Sequence, residues 1–144
     1  MYLRPKTPVD IIVPAVRGTT SVLNSALKHG STVKRVVLTS SFVAVFEWVT
    51  EPRVFNESNW NEAAMEAAKT KGAAADAFTI YSASKALAEK AAWEFVDVNK
   101  SKISWDLVAL NPPWLFGASL PSFYSFTITA KLSTHLYSLR SAPR

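Results

Sequence analysis

Apolar residues recur every three or four positions between residues 9 and 29, and this spacing predicts an amphipathic helix. The apolar stripe consists of Ile12, Val16, Val22, Leu23, Ala26 and Leu27. Proline suits only the first turn of a helix, so we expect the regular helix to begin near Pro14. Gly30 follows the last periodic position and predicts where the helix ends.

Two short continuous apolar runs predict strands that are buried on both faces, as in a parallel sheet. The first run covers residues 33–40 and contains Val36, Val37 and Leu38. The second covers residues 107–110, and two prolines directly after it predict its end.

The segment between these strands divides into a long connection and a strong helix. Residues 47–76 are rich in polar residues, and one short helix is predicted inside them at residues 61–71. Residues 78–99 contain many alanine, leucine, glutamate and lysine residues, which favour a helix. Connections as long as residues 47–76 are usually functional or mobile in compact domains.

The predicted order of helix, strand, long loop, helix and strand indicates an α/β fold with a parallel sheet. Two strands are too few for a stable open sheet of this kind, so we expect the chain to be part of a larger unit. Residues 118–144 show no clear period. A short helix near residues 129–139 and a disordered end at residues 140–144 are expected there.

Composition and charge exclude several kinds of chemistry. The 144 residues include no cysteine, which excludes disulfides and cysteine nucleophiles. His29 and His135 lack the spacing of metal ligands, so no metal site is predicted. The net charge of +5 comes from scattered basic residues, so we expect no nucleic-acid partner. No segment has the length of a membrane span or the form of a signal peptide, and we expect a cytoplasmic location without membrane contact.

A tyrosine and a lysine stand four residues apart near the start of the strong helix, at Tyr81 and Lys85. This spacing puts both side chains on one helix face, about one turn apart. An ammonium group close to a phenol favours the phenolate, so such a tyrosine can exchange a proton with a carbonyl or alcohol oxygen. By itself the pair is weak evidence, because the same spacing often arises by chance.

The context of this pair strengthens the prediction of a site. Ser40 and Ser41 follow the first predicted strand, while Asn111 and Pro112 follow the second. Ligands of open α/β sheets bind beyond the carboxyl ends of the strands. We therefore expect three separate segments of the chain, including the helix that carries Tyr81, to meet at one crevice.

Five stretches of the chain together resemble the middle part of an extended short-chain dehydrogenase/reductase. They are PAVRGTTSVLNSALKHG, VKRVVLTSSFVAVF, FNESNWN, YSASKALAEKAAWEFV and LVALNPPWLFG, and they cover about residues 9–117. The most similar subgroup is the dihydroflavonol-reductase-like one, which includes fungal aldehyde and methylglyoxal reductases. The resemblance implies a partial Rossmann-type, doubly wound parallel sheet.

The resemblance also implies roles for individual residues. Ser41 matches the catalytic serine of the family, Tyr81 its proton donor and Lys85 its lysine. Pro112 falls where the family has a residue against the nicotinamide ring, and Leu115 where a backbone contact to the carboxamide is usual. Tyr81 and Lys85 would contact the cofactor as well. The implied reaction is hydride transfer from NADPH, or alternatively NADH, to a small aldehyde or ketone.

One family feature is missing from this sequence. Members of the family hold the cofactor pyrophosphate on a Gly-rich turn at a helix N-terminus. This chain has only Gly18, Gly30, Gly72 and Gly117, and they form no such cluster. We therefore expect residues 1–117 to form a partial NAD(P)-binding catalytic portion, followed by a divergent tail at residues 118–144.

Two alternatives to a carbonyl reductase remain open. The chain could be a truncated, non-catalytic fragment of such an enzyme. It could also belong to an epimerase or dehydratase, since these enzymes use the same three residue types on the same scaffold. The sequence does not determine the oligomeric state.

Overall fold

The computed structural model describes residues 7–117 and 139–141. In chain order, helix α1 (Val9–His29) is followed by strand β1 (Arg35–Thr39), helices α2 (Glu62–Lys71) and α3 (Ala77–Asn99), and strand β2 (Asp106–Leu110). A third strand, β3 (Leu139–Ser141), completes the sheet, and short 3-10 turns occur at Phe42–Ala44 and Gly72–Ala74. The predicted order of elements between residues 9 and 110 is confirmed.

The sheet has the strand order β1-β2-β3. Strands β1 and β2 are parallel, with Arg35 opposite Asp106 and Thr39 opposite Leu110, as the sequence predicted. Strand β3 runs antiparallel to β2, so the sheet is mixed. The sequence did not predict this strand. An antiparallel edge strand on a parallel sheet is common in α/β folds, and the α/β fold class is confirmed.

Helices α1 and α3 cover one face of the sheet and form the main core with it. Leu23 from α1 and Val96 from α3 pack together with Trp105 and Leu107, all of them buried. Val36 and other half-buried apolar side chains complete this cluster. A smaller core, built from alanines of α2 and α3, joins these two helices.

The expectation that β1 is buried on both faces is wrong. Exposure alternates along the strand, with Val36 and Leu38 half-buried against the helices while Val37 is 53% exposed. Successive side chains of a strand point to opposite faces. None of the helices described within residues 7–117 covers the face that carries Val37, so that side chain stays in contact with solvent.

Helix α1 begins at Val9, five residues before the predicted start at Pro14. The Asp10 carboxylate accepts a hydrogen bond from the Thr7 backbone N–H at 2.9 Å and another from the Thr7 hydroxyl at 3.2 Å. These bonds stabilise an earlier first turn, and the structure accommodates Pro14 inside the helix. The predicted stop is confirmed, because the Gly30 N–H closes the helix on the Ala26 carbonyl at 2.8 Å.

Two predictions concern the last part of the chain. The helix expected at residues 129–139 lies outside the described residues except for Leu139, which begins β3. Disorder was expected at residues 140–144, but Arg140 and Ser141 pair with β2; the other three residues lie outside the described part. The boundary between residues 117 and 118 stays a prediction.

Gly18, inside α1, and Gly30, at its C-terminal end, allow a matched test of stability. A Cβ on Gly30 would overlap the backbone carbonyl oxygen of Ala26, whereas a Cβ on Gly18 would meet nothing within 4 Å. Gly30→Ala should therefore lower the free energy of unfolding by about 1–3 kcal/mol. Gly18→Ala should raise it by about 0.5–1 kcal/mol, because alanine favours a helix interior. Urea unfolding of the two variants measures both effects, and changes of the same sign would contradict this account.

Candidate active site

The parallel pairing of β1 and β2 continues beyond the ends of both strands. The Ser40 N–H donates to the Leu110 carbonyl at 2.8 Å, and the Phe42 N–H donates to the Pro112 carbonyl at 3.0 Å. Ser41 lies between these two bonds in an extended conformation, with φ −157° and ψ 150°. The two chain segments after the strands are therefore held side by side, as the sequence predicted for the carboxyl edge of the sheet.

Asn61 fixes the turn that follows Ser41. Its backbone N–H donates to the Ala44 carbonyl at 2.9 Å, and its side-chain amide donates to the Val43 carbonyl at 3.0 Å. The Asn61 side-chain oxygen also accepts from the Ala64 N–H at 2.9 Å and caps α2. One buried side chain thus connects the start of α2 to the turn at Phe42–Ala44.

Helix α3 begins beside this edge. The Asp76 carboxylate caps it, accepting from the Thr79 backbone N–H at 3.0 Å and from the Thr79 hydroxyl at 2.6 Å. The Tyr81 and Lys85 side chains follow one turn apart, with Lys85 Nζ 5.8 Å from the Tyr81 ring centroid. An ammonium at this distance from an aromatic ring is within the range of a cation–π contact.

All five residues that the resemblance singled out line one cavity of about 540 Å³. Ser41 lies in its wall after β1, Pro112 and Leu115 follow β2, and Tyr81 and Lys85 come from α3. Ser41 is buried, whereas Tyr81 is 42% exposed. The expected meeting of three chain segments at one crevice is confirmed as geometry, while the role of each residue stays a prediction.

Aromatic rings form much of the remaining cavity wall. Phe42 and Phe46 are stacked with centroids 4.8 Å apart, and Trp48 meets Phe46 edge-on at 5.0 Å. Phe78 and Trp114 also line the cavity. Sequence reasoning missed Phe46, Trp48 and Phe78. The four-residue spacing of two phenylalanines directly after Ser41 is the signal that could have indicated the first of them.

A second group missed by sequence reasoning lies behind the cavity. Glu89 and Asn111 are both fully buried, and the Asn111 side-chain amide donates to Glu89 Oε2 at 2.7 Å. The same amide donates to the Ser41 carbonyl at 3.1 Å. Asn111 was expected at this edge of the sheet, but its partner on α3 was not. Glu89 stands four residues after Lys85 and thus on the same helix face.

The cavity fits the nicotinamide end of a dinucleotide better than the phosphates. Lys85 offers an ammonium for a ribose hydroxyl. Ser40 lines the cavity, and its Oγ is a buried polar atom with no hydrogen-bond partner among the described residues. In contrast, Gly18 lies inside α1, Gly30 ends α1, Gly72 follows α2 and Gly117 follows β2. These four glycines lie far apart, so residues 7–117 contain no glycine-rich turn before a helix start.

Two further features of residues 7–117 concern metal ions and membranes. No group of three or more histidine, aspartate or glutamate side chains there is placed to hold a metal ion. None of the helices described is long and apolar enough to cross a membrane.

Open α/β folds bind their ligands at the carboxyl ends of the strands, and the cavity that Tyr81 and Lys85 line lies at this edge. The sequence pattern of the 3-beta hydroxysteroid dehydrogenase/isomerase family matches residues 4–142. The chain therefore belongs to this family. The expected membership in the extended short-chain dehydrogenase/reductases is confirmed.

Several relatives are named reductases. The chain is 38% identical over 129 residues to the NADPH-dependent methylglyoxal reductase GRE2 of Saccharomyces cerevisiae, covering 87% of this chain and 35% of that protein. It is 38% identical over 127 residues to the cinnamoyl-CoA reductase CAD2 of Medicago truncatula, covering 86% and 35%. The chain thus spans about a third of the length of these relatives.

Solved structures have the same fold. The yeast methylglyoxal/isovaleraldehyde reductase Gre2 complexed with NADPH matches with a TM-score of 0.69 and 36% identity, over 85% of this chain and 35% of that one. Gre2 of Candida albicans in complex with NADPH matches with a TM-score of 0.74 and 27% identity, over 90% and 38%. These likenesses confirm the partial Rossmann-type fold.

The cap of α3 predicts a pH dependence of stability. The Thr79 hydroxyl, followed by the Thr79 N–H, donates to Asp76 and lowers the pKa of that carboxyl below its ordinary value of 3.8. A lowered folded-state pKa stabilises the fold above pH 3.8, and this contribution disappears as the pH falls through the lower folded-state value.

Asp76→Asn should retain the cap, because asparagine caps helices well, but should lose this pH dependence. Wild type should be the more stable protein at neutral pH, and the difference should shrink in strong acid. Urea unfolding midpoints of both proteins between pH 7 and about pH 3 measure it. A difference that stays constant across this range would contradict the assigned pKa direction.

Proposed function

We propose that this chain carries the catalytic part of an NADPH-dependent reductase that converts an aldehyde or ketone to an alcohol. The observation that carries the proposal is the shared cavity, which Ser41, Tyr81 and Lys85 line together with Pro112 and Leu115. Family membership and the NADPH-dependent relatives support the same reaction. The preference for NADPH over NADH rests on those relatives.

The side chains can divide the work of carbonyl reduction among them. When bound, the reduced nicotinamide supplies a hydride to the carbonyl carbon. Tyr81 donates its phenolic proton to the oxygen on which negative charge develops. Ser41 donates a hydrogen bond to the same oxygen and orients the substrate. The Lys85 ammonium stabilises the phenolate that remains and holds a ribose hydroxyl.

Two further residues belong to the cofactor side of the cavity. Pro112 would lie against the nicotinamide ring, where its apolar face excludes water. The backbone at Leu115 would contact the carboxamide. Both residues follow β2, and the Phe42–Pro112 backbone bond of 3.0 Å holds Pro112 next to the Ser41 segment. This placement supports a ring bound between the two strand ends.

The cavity wall favours a substrate with an apolar group beside its carbonyl. Phe42, Phe46, Trp48 and Phe78 line the same cavity as Tyr81, and aromatic side chains bind apolar surface well. A small-molecule carbonyl compound is the partner that we propose. The expected cytoplasmic location, and the absence of nucleic-acid and membrane partners, stay predictions.

The chain by itself should bind NADPH poorly, because residues 7–117 contain no glycine-rich turn for the pyrophosphate. Titration of the purified 144-residue chain with NADPH, followed by the fluorescence of the reduced nicotinamide, should show no saturation. Saturable binding would contradict this prediction and would show that other residues hold the phosphates. The control is a relative that contains the complete cofactor site, such as the yeast reductase.

Catalytic competence is tested in a chimera in which residues 9–117 replace the matching segment of the yeast methylglyoxal reductase. The chimera should oxidise NADPH when an aldehyde is present. Tyr81→Phe should lower kcat by roughly 10²–10⁴-fold, because the proton donor is lost. Ser41→Ala should also lower kcat, whereas Ser101→Ala, at an exposed position, should not.

The outcomes of this assay separate the alternatives. A folded chimera that binds NADPH but reduces no carbonyl compound would indicate a non-catalytic segment. Interconversion of a sugar substrate without net consumption of NADPH would indicate an epimerase instead, because an epimerase returns the hydride to its substrate. Full turnover by the Tyr81→Phe variant would contradict the proposed role of the phenol.

A further inference from the structure

A buried hydrogen-bonded chain connects helix α3 to the backbone of Ser41. Asn111 Nδ2 donates to Glu89 Oε2 at 2.7 Å and to the Ser41 carbonyl oxygen at 3.1 Å. Glu89 and Asn111 have no exposed surface, and Ser41 is 7% exposed. This connection joins the helix that carries Tyr81 and Lys85 to the segment that carries the serine hydroxyl.

We propose that Glu89 and Asn111 are positioning residues for Ser41. Neither residue lines the cavity among the residues that surround it, so they act through Ser41 and not on the substrate. The proposal rests on the proposed function, because it assigns to this pair the placement of the serine opposite Tyr81.

The chemistry of the amide determines how it can be oriented. The nitrogen of Asn111 carries two hydrogens, and it serves two acceptors, a carboxylate oxygen and a carbonyl oxygen. A reversed amide would turn its own oxygen toward both acceptors, which is unfavourable in a buried site. Glu89 therefore selects the amide orientation in which Asn111 can donate to Ser41.

The Ser41 carbonyl oxygen has two donors. It accepts from the Ala44 N–H at 2.9 Å, within the turn at Phe42–Ala44, and from the Asn111 side chain at 3.1 Å. The first bond stays within one segment of the chain, whereas the second joins that segment to the residue directly after β2. The Asn111 side chain is therefore the donor that connects Ser41 to the second segment.

Tyr81, the proposed proton donor, lies on the same helix face as Glu89, which binds Asn111. Tyr81, Lys85 and Glu89 occur at intervals of four residues and lie along one helix face. The position of Tyr81 relative to Ser41 depends on how α3 sits against the strand ends. The short hydrogen bond that Glu89, two turns after Tyr81, accepts from Asn111 keeps that face directed toward the edge of the sheet.

The test compares three variants of the 144-residue chain by NMR. Glu89→Leu removes the acceptor for Asn111, while Glu89→Gln retains an oxygen that can accept from it. Trp93→Phe is the matched control, because Trp93 Nε1 donates to the other carboxylate oxygen, Glu89 Oε1, at 3.4 Å. The control thus alters the same carboxylate without removing the bond to Asn111.

Two signals report on the connection. In wild type, the side-chain amide hydrogens of Asn111 should exchange slowly with solvent, and the backbone amide of Ser41 should show rigid relaxation behaviour. Glu89→Leu should accelerate the Asn111 exchange by about tenfold or more and increase the motion of Ser41. Glu89→Gln should restore both signals to near wild-type values, and Trp93→Phe should leave them unchanged.

A purely structural role for Glu89 predicts a different result. It would lower the unfolding temperature without a selective change at Ser41, and glutamine would give no selective rescue there. Either observation, in variants that remain folded at the measuring temperature, would overturn the proposal. If Glu89→Leu does not fold, fast exchange of the Asn111 amide in wild type, or loss of its protection in Glu89→Gln, would overturn it.

These measurements require neither cofactor nor turnover. If the chimera shows no reductase activity, the NMR result still stands. If the NMR result contradicts the positioning role, Ser41 and Tyr81 can still be catalytic, with other contacts holding Ser41 in place. The two proposals can therefore fail separately.

Discussion

The candidate site depends on the backbone pairing that continues past the ends of β1 and β2. Within the sheet, parallel hydrogen bonds align the two strands. Beyond it, Ser40 bonds to Leu110 and Phe42 bonds to Pro112. Because these bonds persist after both strands, a serine from one segment and a proline from another lie in the same wall. Helix α3 then needs only to begin beside that wall to complete the cavity.

The elements with strong local signals could be predicted from sequence. Helix α3 was expected at residues 78–99 and spans Ala77–Asn99, because its helix-forming residues and its Asp76 cap agree. The predicted start of α1 was wrong, because hydrogen bonds between Thr7 and Asp10 stabilise a helix that begins at Val9, before Pro14. Strand β3 was missed because three residues carry no periodic pattern.

Some residues of the candidate site could also be predicted from sequence, and others could not. Ser41, Tyr81 and Lys85 could be found from sequence because local spacing and a resemblance both indicated them, and they do share one cavity. The contact between Glu89 and Asn111 could not be found. It joins residues 22 positions apart along the chain, and spacing on α3 acquires a meaning only when the position of Asn111 is known. The prediction that β1 is buried on both faces was wrong for a related reason, because the exposure of Val37 depends on which elements cover the sheet.

The exposure of Val37 on β1 has a thermodynamic consequence. Apolar hydration is the main source of the heat capacity increase on unfolding. Val37 already contacts water in the folded chain, so its side chain adds less newly hydrated surface on unfolding than a buried valine would. This strand should therefore contribute less to the heat capacity change, and to the curvature of stability with temperature, than a strand that is buried on both faces.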